Sequence, residues 1–278
     1  MADATSILMT STLTTALLAM SGISGHRLRQ LVAAGALIRL RNGRYVPEGT
    51  PPPLIDAGRW GGRLDCVSLL ASLGVFVSES AGVHLQFEPG TTRLPPRPRH
   101  VHAHWRKLAL PREALTTDIV TALAQACRCQ GPREAVATLD SAWHLGLVDE
   151  AGIAEVFALL PRRYQGLRGL LDARSESGVE SLMRLILRTL GADIQVQVQI
   201  DGVGRVDFVV DGWLIVECDS RAHHEGWDVQ RRDRRRDLAA AVRGYTTVRP
   251  LAEDILFHRG EVVRDVAAIL AHGRPSSR

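Results

Sequence analysis

The chain has 278 residues, 45% hydrophobic and 23% charged, which is enough for two or three domains with their own cores. Its net charge is only +4, but arginines cluster at residues 27–44 and 231–236. Such clusters are typical of a surface for nucleic acid or of a solvated helix face, and both interpretations stay open. The aromatic content of 5% argues against base-stacking platforms for single strands.

The four cysteines, Cys66, Cys127, Cys129 and Cys218, show no paired CxxC spacing and no framework pattern, so we expect free thiols in a reducing cytoplasm. The apolar run at residues 7–20 lacks a basic leader, and it is too short to span a bilayer. These features predict a cytoplasmic protein that does not insert into a membrane.

From the start of the chain, the pattern predicts two helices and a hairpin. Residues 5–20 carry apolar positions at helical spacing, and a second helix follows Ser24 as N-cap and ends at Gly35. Asn42-Gly43 then marks a hairpin turn. This order predicts a winged helix-turn-helix at residues 1–50. Its arginines are the candidate DNA contacts: Arg27, Arg29, Arg39, Arg41 and Arg44.

The same segment resembles the N-terminal domain of AbiEi-type antitoxins, in which a short helix pair leads to the pattern GxLxRxRxGxY. Here the pattern runs from Gly35 to Tyr45. The resemblance covers the first fifty residues or so and implies DNA binding.

The middle of the chain divides into a small α/β unit at residues 51–110 and a helical spacer at 111–173. Three prolines at 51–53 predict a stiff linker before a helix at 66–73 and strands at 83–87 and 101–105. His100, His102 and His104 alternate on one strand face, where contact with phosphate or solvent is favoured over a metal site. The spacer predicts helices at 117–127, 132–145, 151–159 and 164–171.

Residues 203–219 predict two apolar strands joined at Asp211-Gly212, with three carboxylates inside them: Asp207, Glu217 and Asp219. Burying ionised carboxylates is costly unless a cation compensates them. A two-residue loop would place Asp207 and Glu217 on opposite faces of the sheet. A three-residue loop of residues 210–212 pairs Val209 with Trp213 and places both carboxylates on one face, and we favour it.

Around this ribbon the elements predict an α/β sandwich at residues 174–278. A helix opens at Ser177, where Glu180 suits both a capping box and a face turned toward the sheet. A strand at 194–200, the ribbon, a charged helix at 228–243, a strand at 245–249 and a helix at 262–270 follow. We expect the charged helix to pack through Leu238, Ala241 and Val242.

The ordered set resembles the PD-(D/E)XK nuclease core, in the branch related to very-short-patch-repair endonucleases. The residues that carry it are Glu180, Val206-Asp207-Phe208, Val216-Glu217-Cys218-Asp219, His223-His224, the run 233–237 and Arg249. The resemblance implies a restriction-endonuclease-like domain that hydrolyses DNA, in repair or in defence against foreign DNA.

The implied chemistry assigns roles to these residues. Asp207, Glu217 and the carbonyl of Cys218 would hold Mg²⁺ or Mn²⁺, and Glu180 would orient water or a second ion. The lysine usual two residues after Glu217 is replaced by Asp219, so His223 or His224 becomes the candidate acid/base. Arg236, or Arg232 one turn earlier, would stabilise the phosphate, with Arg235 as a further DNA contact.

Three functions therefore compete. The first is a metal-dependent endonuclease or nickase, which would need a homodimer to cut both strands. The second is a DNA-binding regulator or antitoxin with a degenerate nuclease core, which the missing lysine favours. The third is a metal hydrolase centred on His102.

Overall fold

The computed structural model describes residues 4–78, 82–218 and 227–273 of a mixed α/β protein. It divides into two compact units, one of Met1–Gln130 with Val148–Gln165 and one of Gly131–Leu147 with Gly166–Arg278. Within the described ranges, no helix combines the length and the apolar character needed to cross a membrane. The segments predicted at 1–50 and 51–110 lie in the first unit, and the predicted helical spacer is shared between the two.

The helices are α1 Ala4–Leu8, α2 Thr15–Met20, α3 Gly25–Ala33, α4 Pro52–Trp60, α5 Cys66–Ser72, α6 Ile119–Cys129, α7 Pro132–His144, α8 Glu150–Leu159, a 3-10 helix Arg162–Leu170, α9 Gly178–Thr189, α10 Trp227–Val242, α11 Ala252–Phe257 and α12 Arg259–His272. The strands are β1 Leu13–Thr14, β2 Leu37–Arg41, β3 Arg44–Pro47, β4 Arg63–Leu64, β5 Val83–Phe87, β6 Val101–Trp105, β7 Ile194–Ile200, β8 Gly204–Val210, β9 Leu214–Val216 and β10 Thr246–Val248.

The first unit begins with a three-stranded sheet in the order β1-β3-β2. The Ser24 hydroxyl accepts from the Arg27 amide, so the predicted cap of α3 is confirmed, as is the β2–β3 hairpin. The single helix predicted over residues 5–20 is wrong. Its Thr and Ser residues break it, because Leu13 pairs with Tyr45 in β3 and the Thr14 side chain caps α2.

A second three-stranded sheet, β4-β5-β6, forms the middle of the first unit, with β5 and β6 parallel. The strands predicted at 83–87 and 101–105 are confirmed. Helices α5 and α6 pack together, and α8 packs against α6. The linker predicted at the three prolines is wrong, since Pro52 and Pro53 form the first turn of α4, where a proline loses no helical hydrogen bond.

The second unit contains a mixed sheet in the order β10-β9-β8-β7. Strands β7, β8 and β9 are antiparallel neighbours, and β10 runs parallel to β9. Helix α9 contacts β7, and Ala240 of α10 joins the apolar cluster of Val206, Val209 and Ile215 on the sheet.

The packing face predicted for α10 is wrong. Leu238 and Val242 are 69% and 85% exposed, Ala241 is also exposed, and Ala240 is the buried residue. The helix is turned so that Arg236 and Ala240, one turn apart, face the sheet. The small Ala240 side chain and the polar contacts of Arg236 therefore decide the packing face.

A buried ion pair joins α7 to α9 in the second unit. Asp140 has no exposed surface, and its Oδ2 lies 2.7 Å from Arg184 Nη2 and 2.7 Å from the Ser181 hydroxyl. Its Oδ1 accepts from the backbone amide of Asp172. Burial raises the pKa of Asp140, and Arg184 opposes that rise. The partners keep the charge tolerable in the core.

Replacing Asp140 with alanine should therefore lower the free energy of unfolding by about 3–5 kcal/mol, because Arg184 would keep a buried charge without its partner. Urea denaturation measures the change. Arg174→Ala serves as control, since the Arg174 side chain is 64% exposed and its pair with Asp172 should contribute less than about 1 kcal/mol. Equal losses in the two variants would contradict this role of Asp140.

Candidate functional site

The pairing of β8 with β9 sets two carboxylates opposite each other. Phe208 pairs with Val216 and Val210 with Leu214. Continued by one residue, this register puts Asp207 opposite Glu217 on the same face of the sheet. The prediction that Asp207 and Glu217 share one face of the sheet is therefore confirmed, although the loop that joins the two strands is not the predicted one.

The predicted loop of residues 210–212 is wrong, since the loop consists of Asp211, Gly212 and Trp213. Asp211 and Gly212 have φ values of 49° and 71°, and the Trp213 amide donates to the Val210 carbonyl. Asp211 also exchanges hydrogen bonds with Asp193 at the start of β7. This contact with the start of a third strand anchors Asp211 at the turn. The sequence around the turn could not have predicted it, because Asp193 lies 18 residues earlier in the chain.

Asp207 is half-buried, and its Oδ2 accepts the Cys218 amide at 2.8 Å. Burial raises its pKa, the Cys218 hydrogen bond opposes the rise, and the charge of Glu176 adds to it. The Cys218 carbonyl was the predicted further metal ligand, and the structure shows the amide of that residue joined to Asp207.

Glu217 lies between two guanidinium groups. Its Oε1 is 2.7 Å from Arg236 of α10, and its Oε2 forms an ion pair with Arg249 after β10. Arg249 also pairs with Asp237 at 2.7 Å. Burial raises the pKa of Glu217, whereas Arg249 and Arg236 act to lower it. The positive charge that the sequence requires here is therefore supplied by arginines in this structure.

Glu180 at the start of α9 serves the helix and faces the sheet. Its amide donates to the Ser177 hydroxyl, and its Oε2 accepts from the amide of Glu176 and from Gln197 Nε2 of β7, both at 2.9 Å. Burial raises its pKa, and the charge of Asp207 raises it further. The Ser177 half of the expected capping box is thus present, whereas the Glu180 carboxylate accepts from the amide of Glu176 instead of that of Ser177 and also reaches β7 of the sheet.

Arg236 fastens α10 to the sheet. Besides Glu217, it donates to the carbonyls of Val203 and Arg205, at 3.1 and 2.7 Å. Arg232 and Arg235 lie exposed on the same helix. The other three predicted catalytic residues, Asp219, His223 and His224, lie outside the described residues.

The arginines predicted to contact DNA in the first unit differ in their exposure to solvent. Arg27, Arg29 and Arg39 are exposed. Arg41 donates to the Arg93 carbonyl at 2.8 Å, and Arg44 pairs with Glu113 at 3.2 Å. Three of the five arginines therefore face solvent, and two are held by contacts inside the unit.

Metal-binding side chains meet in the first unit as well. Among the described residues, one group of at least three His, Cys, Asp or Glu side chains has its ligand atoms within 4.8 Å of one another. It consists of Cys66, His84, His104 and Cys129. The acidic residues around Glu217 form no second such group within the described ranges.

The alternating histidines meet different surroundings. His104 belongs to the cysteine–histidine group, whereas His102 stacks on His84 at 4.7 Å between ring centroids and His100 packs against Trp60. All four cysteines are free, as predicted. A hydrogen bond between Cys66 and Cys129 raises the pKa of the first thiol and lowers that of the second.

Sequence reasoning gave no site role to Arg249, Gln197, Cys66, His84 or Cys129. Arg249 had a visible signal as the last residue of the nuclease-like pattern. No local spacing in the sequence indicated the cysteine–histidine group, because each of its four residues lies in a different helix or strand.

Comparisons with known proteins leave these sites to be interpreted from their chemistry. A scan against protein-family models finds no match, and a search of curated proteins finds no significant match.

Exchange of Asp207 for asparagine should lower the pKa of Glu180, because one of the two effects that raise it is the charge at position 207. Carbon-detected NMR titration of the glutamate carboxyls measures the shift. Asp201→Asn, at an exposed position between β7 and β8, is the matched control. An unchanged Glu180 titration in the Asp207 variant would mean that the two carboxylates do not sense each other.

Proposed function

We propose that the second unit is a metal-dependent endonuclease or nickase of the PD-(D/E)XK kind that acts on DNA. The observation that carries the proposal is the placement of Asp207 opposite Glu217 on adjacent strands, with Glu180 on the helix that precedes them. The element order α9, β7-β8-β9, α10, β10 agrees with the expectation from the resemblance.

The donor chemistry fits a hard divalent cation. Asp207 and Glu217 present carboxylate oxygens, the ligands that Mg²⁺ and Mn²⁺ prefer. A bound ion of this type polarises the scissile phosphate and lowers the pKa of an attacking water. In the present arrangement Arg236 and Arg249 occupy Glu217, so an ion and these guanidinium groups would compete for the same carboxylate.

The chain's own residues would then divide the work. Glu180, with its raised pKa and its contact to Gln197, would position water and accept its proton near Asp207. Arg236, which reaches the carbonyls of Val203 and Arg205, would present its guanidinium to the phosphate.

The first fifty residues would hold the substrate as a winged helix. Helices α2 and α3 followed by the β2–β3 hairpin support that interpretation. Arg27, Arg29 and Arg39 are exposed there, and their positive charges suit the phosphate backbone.

A DNA-binding regulator or antitoxin with a degenerate core is the second candidate. The observation in its favour is the engagement of both Glu217 oxygens by arginines, which compensates the buried charge without any metal. In that case the second unit would serve as a binding platform, and the acidic residues would be structural.

Supercoiled plasmid incubated with the full chain and Mg²⁺ or Mn²⁺ distinguishes the two functions. We expect conversion to nicked circles by the wild type and none by Asp207→Ala or Glu217→Ala, because each removes a ligand of the ion. Asp201→Ala, an exposed acidic residue between β7 and β8, should cut as well as the wild type. A wild type that binds a promoter fragment but leaves plasmid intact would favour the regulator.

DNA affinity tests the first unit separately. The triple variant Arg27→Ala/Arg29→Ala/Arg39→Ala should bind duplex DNA more weakly and with a smaller salt dependence. Each lost phosphate contact takes about 0.9 from the slope of log affinity against log salt. Fluorescence anisotropy over a salt series measures both quantities. The charge-matched control replaces three exposed arginines elsewhere in the first unit: Arg59, Arg112 and Arg128. Equal slopes in the two triple variants would contradict the winged-helix assignment.

A further inference from the structure

Four potential metal ligands converge from four elements of the first unit. Cys66 begins α5, His84 is in β5, His104 is in β6, and Cys129 ends α6. Their ligand atoms all lie within 4.8 Å of one another. No residue proposed for DNA cleavage belongs to this group.

The separations match those of a tetrahedral zinc centre. His84 Nδ1 lies 3.1 Å from His104 Nε2, and Cys129 Sγ lies 3.9 Å from the same His104 nitrogen. With Zn–N bonds of about 2.0 Å and Zn–S bonds of about 2.3 Å, a tetrahedron separates two nitrogens by about 3.3 Å and nitrogen from sulfur by about 3.5 Å. The group needs only small adjustments to surround an ion.

The donor set selects the metal. Two cysteine sulfurs and two imidazole nitrogens suit Zn²⁺, whereas Mg²⁺ prefers oxygen ligands. Four protein ligands complete the coordination of zinc and leave no position for substrate. Such a closed site stabilises a fold and does no chemistry on a ligand.

Neighbouring polar side chains hold the ligands in place. Gln125 Nε2 lies 3.2 Å from Cys129 Sγ, and Gln125 Oε1 accepts from Arg106. Arg106 also pairs at 2.6 Å with the fully buried Asp65, the residue before Cys66. This chain of contacts connects two of the four ligands, as supporting shells of metal sites do.

The backbone around Cys66 and His84 is also constrained. Cys66 has a φ of 54°, a left-handed conformation that is uncommon for residues other than glycine. The His84 amide donates to the Ser68 hydroxyl of α5 at 2.9 Å, and its carbonyl accepts from the Asp65 amide at 3.1 Å. Strain of this kind persists where surrounding contacts impose it, and functional sites are where it accumulates.

We propose that Cys66, His84, His104 and Cys129 bind one structural Zn²⁺ ion that ties α5 and α6 to the parallel strands β5 and β6. The ion replaces the hydrogen bonds that these side chains make with one another. It is independent of the ion proposed for Asp207 and Glu217, which lie in the other unit.

The test begins with metal analysis of the reduced full chain, purified without chelator and dialysed against metal-free buffer. We expect one equivalent of zinc. Cys129→Ser should lose it and remain folded, with a lower free energy of unfolding, because the ion no longer stabilises the unit but Cys129 itself is exposed at the end of α6. His100→Asn and Cys127→Ala, which alter a nearby histidine and cysteine outside the group, should keep it.

Cobalt substitution gives a readout that does not depend on any variant. The chelator-treated wild type, titrated with Co²⁺, should develop the visible bands of a tetrahedral ion and sulfur-to-cobalt charge-transfer bands, and zinc should displace them. Gln125→Ala should retain the spectrum but bind metal about 10–100-fold more weakly, since Gln125 only supports a ligand.

Two results would overturn the proposal. One is reduced wild type that takes up neither zinc nor cobalt stoichiometrically, which would leave the four side chains as a hydrogen-bonded network. The other is full metal content in both Cys66→Ser and Cys129→Ser. Plasmid cleavage is not a readout of this site, so its presence or absence leaves the outcome unchanged.

Discussion

The register between β8 and β9 is the constraint on which the acidic site depends. Side chains alternate along a strand, so a shift of one residue would send Asp207 and Glu217 to opposite faces of the sheet. The register is held by the Asp211-Gly212-Trp213 loop, by the tie between Asp211 and Asp193, and by the fully buried Val210 and Leu214 that pair beside it. Packing and turn geometry together therefore determine which polar groups meet.

Once the carboxylates share a face, the surrounding structure must compensate their charge. Arginines from two different elements do so at Glu217, and an amide does so at Asp207. The same solution recurs at Asp140 with Arg184 and at Asp65 with Arg106. Buried acids paired with arginines are thus a general feature of both units. The burial of Glu217 is accounted for without an ion, and its site differs from the other two by having Asp207 and Asp237 as acidic neighbours, with Glu180 in turn close to Asp207.

The cysteine–histidine group, unlike the buried carboxylates, has no arginine paired with its ligand atoms among the contacts described above. Thiol and imidazole groups can satisfy one another through hydrogen bonds, so the group is compatible with hydrogen bonds alone. What distinguishes it is convergence. Four ligands come from two helices and two strands, and supporting contacts run through Gln125, Arg106 and Asp65. A network of this extent restricts the ligands to one arrangement.

Local patterns determined much of the chain by themselves. Strands β5 and β6, the Ser24 and Ser177 caps and the hairpin turns at Asn42-Gly43 and Asp211-Gly212 follow from short-range rules of propensity, capping and turn chemistry. The same rules placed Asp207 and Glu217 on adjacent strands and Glu180 at a helix start, but they left open which register, and therefore which face, the two strand carboxylates would take.

Tertiary structure alone decided the rest. The break in the first predicted helix, the packing face of α10 through Ala240, and the engagement of Glu217 by Arg249 each depend on a partner far away in the chain. The proximity of Cys66 and Cys129 to two histidines also depends on residues that are distant in the chain. Such contacts arise because whole elements pack together, and no spacing within one element records which residues of another will face it.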